Sequence, residues 1–294
     1  MAEKTHRRHL ANSPLKRPAT VVFGFEEFWP TVYEQYGQQF DAIAELMHLG
    51  DEMVKAADET GGEPVEKVIT ALTRASVTAV QEVIVLCGNG CGAGAMKVVR
   101  GMYESRWTAE YLRRQPQQVE DYLEFSKILA WRKLHWLQEN ARSEASRITA
   151  EDAKRVEDDY NQGKARFTGP DGRVRTRWSK QSIRDIAKAI GREKQYEVNY
   201  AIACSIHHGN IEGLLTNFAP GDGTLVPDPP PSLALVSQAL RCAHANVWFA
   251  LNTLNEACRL DFADKVNAAQ VHFSEAWKEQ RASDGRNPEP TRRD

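Results

Sequence analysis

The sequence lacks the features that define membrane, secreted and strongly charged proteins. No run approaches the roughly 18 uninterrupted apolar residues of a membrane-spanning helix. The N-terminal segment is basic but has no apolar core, so it does not resemble a signal peptide. A formal net charge of −2 gives no overall case for a nucleic-acid partner, and any such case must be local. We therefore expect a cytoplasmic protein with no membrane contact.

Cysteine is scarce, odd in number and irregularly spaced, which favours free thiols over a disulfide framework. Cys87 and Cys91 are separated by three residues, whereas zinc motifs favour a two-residue gap and a second matching pair. We predict no metal and no cofactor. A Cys/His metalloprotein that adds Cys204 and His208 to the first pair stays open as an alternative.

Apolar residues recur at helical steps of three and four along most of the chain. The spacing predicts helices over about 25–57, 65–87, 93–114, 117–142, 148–160, 180–190 and 193–215, and a last helical block over about 232–278. Around Pro170-Asp171-Gly172 the pattern instead predicts a short hairpin. The predicted fold class is all-α, a multi-helix bundle with a short β-hairpin insertion near 163–178.

Composition divides the chain into three parts. Residues 1–20 are predicted to form a flexible basic arm, and residues 279–294 a disordered, charged tail. Residues 21–278 between them are predicted to be a single helical domain with the hairpin as an insertion, because no internal repeat at a solenoid period divides them.

The segment Cys87–Gly92 resembles the glycine-rich loop that binds dinucleotide cofactors. Gly90-x-Gly92-x-x-Ala95 follows an apolar run, and Glu110 lies at about the distance of a ribose-binding acid. That motif requires a preceding strand, but residues 65–87 have helical periodicity. We predict a tight connection between two antiparallel helices, in which glycine permits positive φ and close backbone approach.

Arg100 and Glu104 lie four residues apart within the apolar stripe of the helix over 93–114, which also carries Trp107. Charges in such a stripe are costly unless they are paired, so we expect them to pair with each other or with another helix. Four other charges of this helix are expected on its solvent side: Arg106, Glu110, Arg113 and Arg114.

The helix over 193–215 offers partners on one face, at Tyr196, Tyr200, Cys204 and His208, with Ser205 nearby. Two interpretations stand side by side. In one, these groups form a satisfied buried network that fixes helix register. In the other they line a pocket in which His208, Glu104 and Arg100 are catalytic, with Arg100 clamping an anion. Binding residues would then be Tyr196, Tyr200, Ser205 and Trp107.

Positive charge is concentrated near the predicted hairpin, with the aromatic residues Phe167 and Trp178 interleaved. This basic segment comprises Lys164, Arg166, Arg173, Arg175 and Arg177. It could bind a nucleic-acid backbone, or be a solvated edge whose charges discourage strand pairing.

Three short motifs in order give the chain a family resemblance: Gly94-Ala95-Met96-x3-Arg100-x3-Glu104, then Trp178-Ser179, then Tyr196-x3-Tyr200-x4-Ser205-x2-His208-Gly209. Over about 65–215 the chain resembles an uncharacterised bacterial family, domain-of-unknown-function 5677. The resemblance implies an all-helical fold and a grouping of Arg100, Glu104, Tyr200, Ser205 and His208, but no established chemistry.

The expectation from sequence is thus an uncharacterised helical protein with a polar Arg/Glu/Tyr/Ser/His pocket and a binding or regulatory role. The first alternative is a nucleic-acid-acting enzyme, such as a toxin or phage-defence ribonuclease, that uses His208, Arg100 and Glu104. The second is the Cys/His metalloprotein. Enzymatic activity, ligand and homo-oligomer formation are left open by the sequence.

Overall fold

The computed structural model describes residues 24–216, 218–220, 225–227 and 230–284, and nearly all of them are helical. In chain order the α-helices are α1 (Trp29–Thr60), α2 (Pro64–Gly88), α3 (Gly92–Arg114), α4 (Val119–Asn140), α5 (Arg142–Ala145), α6 (Ala150–Phe167), α7 (Ile183–Ala189), α8 (Glu193–Gln195), α9 (Ala201–His208), α10 (Ile211–Leu215), α11 (Val236–Cys258) and α12 (Ala263–Asp284). Short 3₁₀ turns cover Glu26–Phe28 and Pro116–Gln118, and a π-helical turn covers Tyr196–Tyr200. The predicted all-α class is confirmed.

The predicted basic arm, 1–20, and the end of the predicted tail, 285–294, lie outside the described residues. Residues 279–284 belong to the predicted disordered tail, but in the structure α12 continues through them to Asp284.

Helices α1, α2, α3 and α11 pack together around the main core, and α12 covers α1 and α11. Fully buried side chains such as Ile43, Met53, Ile69 and Leu240 fill the space between them. Helix α2 is long and apolar enough to cross a membrane by length and composition. Its packing against α1, α3 and α11 accounts for that hydropathy, because a core helix needs the same composition.

The segment between α2 and α3 is a helix–helix connection, as the sequence predicts. Gly90 has a φ of +64°, in the left-handed region that glycine enters without strain. At Gly92 a Cβ would lie 2.1 Å from the carbonyl oxygen of Ala234, so only glycine permits this approach to the start of α11. These glycines are not a dinucleotide-binding motif of the Rossmann type, because that motif follows a β-strand and here the preceding element is the helix α2.

The predicted β-hairpin near 163–178 is wrong. Helix α6 runs through Phe167, and only a single bridge, Thr168 with Val174, joins the two sides of the following turn. Phe167 is fully buried against Phe125 and Ile128 of α4, and this packing outweighs the strand pattern read from the sequence. The short antiparallel strands of the described region lie elsewhere, at β1 (Phe218–Pro220) and β2 (Leu225–Pro227).

The predicted single helix over 193–215 is divided into shorter pieces. A π-helical turn separates α8 from α9, and α9 ends at Gly209, where φ is +61°. Asn210 then caps α10 by accepting a hydrogen bond from the amide of Gly213 at 2.9 Å. These breaks orient Tyr196, Tyr200 and Cys204 toward α3.

Candidate functional site

Helix α3 and the segment α8–π-turn–α9 lie antiparallel, and three contacts define their register. Gln195 meets Arg106, Tyr200 meets Glu104, and Cys204 meets Arg100. Helix α3 therefore presents two polar regions to this segment, one around Arg100 and the other around Arg106.

The first region is the Arg100 cluster, formed by Arg100, Glu104, Tyr200 and Cys204. The expected ion pair is present, with Arg100 Nη2 at 2.7 Å from Glu104 Oε1. Tyr200 donates a hydrogen bond to the same oxygen at 2.6 Å, and Arg100 Nε donates to Cys204 Sγ at 3.3 Å. The Arg100 and Glu104 side chains are 23% and 38% exposed, so the cluster borders solvent.

The electrostatics of this cluster are self-compensating. Burial lowers the pKa of Arg100, but the hydrogen bond to Cys204 and the charge of Glu104 outweigh burial and hold the pKa above its ordinary value. Burial, together with the hydrogen bond to Glu104, raises the pKa of Tyr200. The guanidinium stays charged, the phenol stays protonated, and each has a partner within the cluster.

An aromatic group lies between the two regions. Trp107 is fully buried, with its ring centroid 5.2 Å from that of Tyr200, 5.1 Å from that of Tyr103 and 6.1 Å from that of Tyr196. Two of the residues predicted to bind a ligand, Tyr196 and Trp107, are thus part of the packing between α3 and the π-helical turn.

Ser205 and His208 were predicted to group with Arg100 and Glu104, but the structure places their contacts elsewhere. Ser205 donates a hydrogen bond to Glu212 at 2.6 Å and accepts one from Asn210 at 3.2 Å, so its hydroxyl joins α9 to α10. His208 is exposed at the end of α9, and its ring contacts that of His207 with centroids 5.0 Å apart. Among the described residues, no hydrogen bond, ion pair or ring contact joins His208 to Arg100 or Glu104. Its catalytic role stays a prediction.

The second region surrounds Arg106. The predicted solvent-facing position is wrong for Arg106 and Glu110, whereas Arg114 is exposed as predicted. Arg106 is 1% exposed and Glu110 is 4% exposed. Arg106 Nη2 donates to Gln195 Oε1 at 2.6 Å, while its Nε and Nη1 are buried without a hydrogen-bond acceptor among the described residues. Its guanidinium carbon lies 4.7 Å from the centroid of the Phe249 ring.

The carboxylate nearest to Arg106 along the helix is engaged elsewhere. Glu110 accepts from Arg114 at 2.5 Å and from Arg192 at 3.3 Å. No salt bridge to Arg106 occurs in the described part of the chain. Burial therefore lowers the pKa of the Arg106 guanidinium to about 9, and the neighbouring charge of Arg192 acts in the same direction. Arg106 is a buried cation whose charge lacks a direct counterion.

Arg106 borders a cavity of about 420 Å³ between α3, the π-helical turn and α11. We call it the Arg106 cavity. Its larger polar lining residues are Tyr103, Arg106, Gln195, Asn199, Gln238 and Arg241. Ser237 and Cys242 also line it, and its described lining contains no aspartate or glutamate. The cavity thus combines two guanidinium groups with amide and hydroxyl groups and is suited to a negatively charged ligand.

The sequence contains little that could have revealed this cavity. Helix α3 is buried on every side from Arg106 to Leu112, because α2, α7, α9 and α11 surround it. A helical wheel assumes one solvent face and assigns Arg106 to it. The spacing of Tyr103, Arg106 and Glu110 places them together, but the partners that bury them come from distant parts of the chain.

The basic segment is partly neutralised. Arg166 contacts Glu120 at 2.6 Å and Asp121 at 2.5 Å, and Arg175 lies 3.7 Å from Asp121. Lys164 donates to Asn161, whereas Arg173 and Arg177 are exposed. The acidic start of α4 therefore offsets part of the charge that a nucleic-acid backbone would meet.

The cysteines form no metal centre in the residues that the structure describes. All five are free thiols, and no group of three or more His, Cys, Asp or Glu side chains could hold a metal there. Cys87 is fully buried, and burial raises the pKa of its thiol. The Cys/His alternative thus has no site among these residues.

Comparison with known families identifies the chain. The model of a "Family of unknown function (DUF5677)" matches residues 66–224, more than half of the sequence. No curated protein and no solved structure matches it. The chain belongs to this family, which confirms the resemblance read from its motifs.

Proposed function

We propose that this chain is a binding protein with a regulatory role, whose Arg106 cavity takes a small organic molecule that carries an oxyanion group. One observation carries the proposal: a buried guanidinium without a counterion borders a cavity whose described lining has no carboxylate. A buried cation is costly unless an anion lies close to it. A bound carboxylate or phosphate would supply both the missing charge and acceptors for the guanidinium.

The size and polarity of the cavity support an organic ligand. Its volume of about 420 Å³ falls within the range of roughly 300–1,000 Å³ typical of small-molecule sites. Gln195, Asn199 and Gln238 offer amide donors and acceptors that could orient the rest of the molecule.

The ionisation of the lining favours binding over covalent chemistry. Burial raises the pKa of the Tyr103 phenol and of the Cys242 thiol. Both groups are therefore protonated at neutral pH, whereas a nucleophile would need a lowered pKa.

The test is calorimetric titration of the full chain with inorganic phosphate at low, matched ionic strength, using chloride as the reference anion. We expect phosphate to bind the wild type and Arg106→Met to weaken binding about tenfold or more, since the paired charge contributes roughly that much. Arg106→Lys keeps the charge and should retain part of the affinity.

Arg100→Met is the matched control, because it removes an arginine from the same helix without altering the Arg106 cavity. Its phosphate affinity should stay within about twofold of the wild type. Circular dichroism confirms that each variant is folded. Equal binding by wild type and Arg106→Met, or no binding by wild type, contradicts the proposal.

The second candidate is a nucleic-acid-acting enzyme that uses His208 with Arg100 and Glu104. It is favoured by the partial exposure of the Arg100–Glu104 pair and by the position of His208 one helical turn beyond Cys204, which contacts Arg100. Its test is cleavage of a labelled RNA by wild type and His208→Gln. A substrate that is cut only by wild type supports this function, and no cleavage by either excludes it for that substrate.

A further inference from the structure

A cavity of about 320 Å³ lies beside α3, where α4, α7 and the loop over 168–182 meet. We call it the Trp178 cavity. Among the described residues it shares no lining side chain with the Arg106 cavity. Its volume falls within the range of roughly 300–1,000 Å³ typical of small-molecule sites. It is therefore a separate place in which a small molecule fits.

The walls of the Trp178 cavity are mainly apolar, and two of their side chains are aromatic. The apolar lining consists of Phe125, Leu129, Trp178, Ile183 and Ile186. The Trp178 ring is fixed by edge contacts, with centroid distances of 5.3 Å to Tyr122 and 6.0 Å to Tyr111. Leu129 is 52% exposed, so part of this apolar surface faces water. A bound aromatic ring would cover that surface and gain contacts with the aromatic walls.

The lining has a closed end and an open end. Phe125 and Ile186, at the closed end, are buried. Thr176, Arg177 and Gln181, at the open end, are exposed to solvent. An amphipathic molecule matches this gradient, because its apolar body would enter the closed end and leave its charged group at the surface.

Thr108 and Arg177 bring unpaired polar groups to the lining. Thr108 is 8% exposed, and its hydroxyl forms no hydrogen bond within the described part of the chain. The Arg177 guanidinium forms no hydrogen bond or ion pair there, unlike that of Arg166, which contacts Glu120 and Asp121. Thr108 thus offers a hydrogen bond inside the cavity, and Arg177 offers a positive charge at its mouth.

The charge of the lining favours a carboxylate as the anionic group of the ligand. Arg177 is the single charged residue of the described lining. One guanidinium matches the single charge and planar shape of a carboxylate, with which it forms two parallel hydrogen bonds. A phosphate dianion would keep part of its charge uncompensated there.

We infer that the Trp178 cavity binds an aromatic carboxylate whose ring carries a hydroxyl group. The ring lies against Phe125 and Trp178, the hydroxyl pairs with Thr108, and the carboxylate pairs with Arg177. The inference goes beyond the proposed function, because the described lining of this cavity is distinct from that of the Arg106 cavity.

The test is calorimetric titration of the full chain with para-hydroxyphenylacetate, its neutral amide para-hydroxyphenylacetamide, and phenylacetate, at constant ionic strength. We expect the hydroxylated acid to bind about threefold more tightly than the amide, because pairing with an exposed arginine contributes modestly. It should also bind about threefold more tightly than phenylacetate, which lacks the hydroxyl for Thr108. Arg177→Gln should abolish the preference for acid over amide. Arg173→Gln should not, since Arg173 is exposed but outside the described lining.

The apolar contact is tested by its own pair of variants. Leu129→Asn should weaken binding of the hydroxylated acid and of the amide alike, by about fivefold, because both lose the same apolar contact. Leu123→Asn is the matched control, since Leu123 is 46% exposed on the same helix and outside the described lining. Both variants replace exposed side chains, and circular dichroism confirms that each is folded.

Competition with phosphate distinguishes this site from the Arg106 cavity. Excess inorganic phosphate should not displace the hydroxylated acid from the wild type. Displacement would assign the acid to the Arg106 cavity, which overturns this inference and supports the proposed function. The inference also fails if the acid does not bind, if its affinity equals that of either comparator, or if Leu129→Asn and Leu123→Asn have equal effects. None of these three results alters phosphate binding through Arg106, so the proposed function is tested separately.

Discussion

Two arginines of helix α3 lie six residues apart and have opposite surroundings. Arg100 is partly exposed, and it has Glu104, Tyr200 and Cys204 as partners. Arg106 is 1% exposed, and its Nε and Nη1 have no acceptor in the described structure. The hydrogen bonds of Arg100 are satisfied within its own cluster, whereas two of the three guanidinium nitrogens of Arg106 leave donors that a ligand can pair. Whether a charge is compensated by its neighbours therefore distinguishes the two regions better than the kind of residue does.

The largest loss of stability is expected on substitution of Trp107, which lies where the two regions join. Trp107→Ala should lower the free energy of unfolding by about 3–5 kcal/mol, because it empties a fully buried site among three tyrosines. Urea denaturation measures the change. The control Trp136→Ala removes a tryptophan that is 58% exposed and should cost less than about 0.5 kcal/mol. Similar losses for the two variants would show that Trp107 does not link the regions.

The buried imidazole of His244 predicts that the stability of the fold depends on pH. His244 is 1% exposed, stacks on Phe273 with centroids 3.5 Å apart, and has no partner for Nε2 among the described residues. Burial lowers its pKa to about 3 from an ordinary value of 6.5. The unfolded chain therefore binds more protons between these values, and stability falls as the pH is lowered through this window.

This loss should be on the order of 2–4 kcal/mol between pH 7 and pH 3.5. Urea denaturation across that range measures it, with His244→Phe as the comparison because phenylalanine keeps the ring contact without the titrating nitrogen. We expect a shallower pH dependence in the variant. Parallel curves for the two proteins would contradict the burial argument.

Replacing either arginine by methionine should change the free energy of unfolding by a smaller amount, and the two changes should differ in sign. Arg100→Met should cost about 1 kcal/mol, a value kept low by the solvent exposure of the ion pair. Arg106→Met should be neutral or stabilising by up to about 1 kcal/mol in the absence of ligand, because it removes a desolvated charge. Thermal denaturation of both variants in phosphate-free buffer compares them. A greater loss for Arg106→Met would mean that the cavity is a structural site.

The smallest effect concerns the phenol of the Arg100 cluster. Tyr200→Phe removes the hydrogen bond to Glu104 and should lower the free energy of unfolding by only about 0.5 kcal/mol, because Glu104 keeps its contact with Arg100, and it should not change phosphate affinity. Tyr33→Phe removes the long, exposed bond to Asp41, of 3.2 Å, and should have no measurable effect. Weaker phosphate binding by Tyr200→Phe would mean that the two regions act as one site.

The sequence predicted the features that depend on spacing along one helix. The helix–helix connection at Gly90 and Gly92 followed from periodicity on both sides, and the pairing of Arg100 with Glu104 followed from their four-residue separation. The all-helical class followed in the same way, whereas membership of the family was indicated by the order of three short motifs along the chain.

Features that depend on distant partners were not predicted. The hairpin near 163–178 was wrong because Phe167 packs against α4, about forty residues earlier in the chain, and stays helical. Arg106 was wrongly predicted to face solvent, because its burial depends on α11, which lies more than one hundred residues later in the chain. Ser205 turned toward Glu212 because α9 ends at Gly209, which lets α10 fold back beside it.

The most direct test of the account is the nuclear magnetic resonance signal of the Arg106 Nε–H group, assigned by its loss in Arg106→Lys. Addition of phosphate should shift this signal strongly and slow its exchange with solvent, because an unpartnered donor gains an acceptor. The Arg100 Nε–H, already bonded to Cys204, should not move. An unchanged Arg106 signal, or a larger shift at Arg100, would contradict the assignment of the anion site to Arg106.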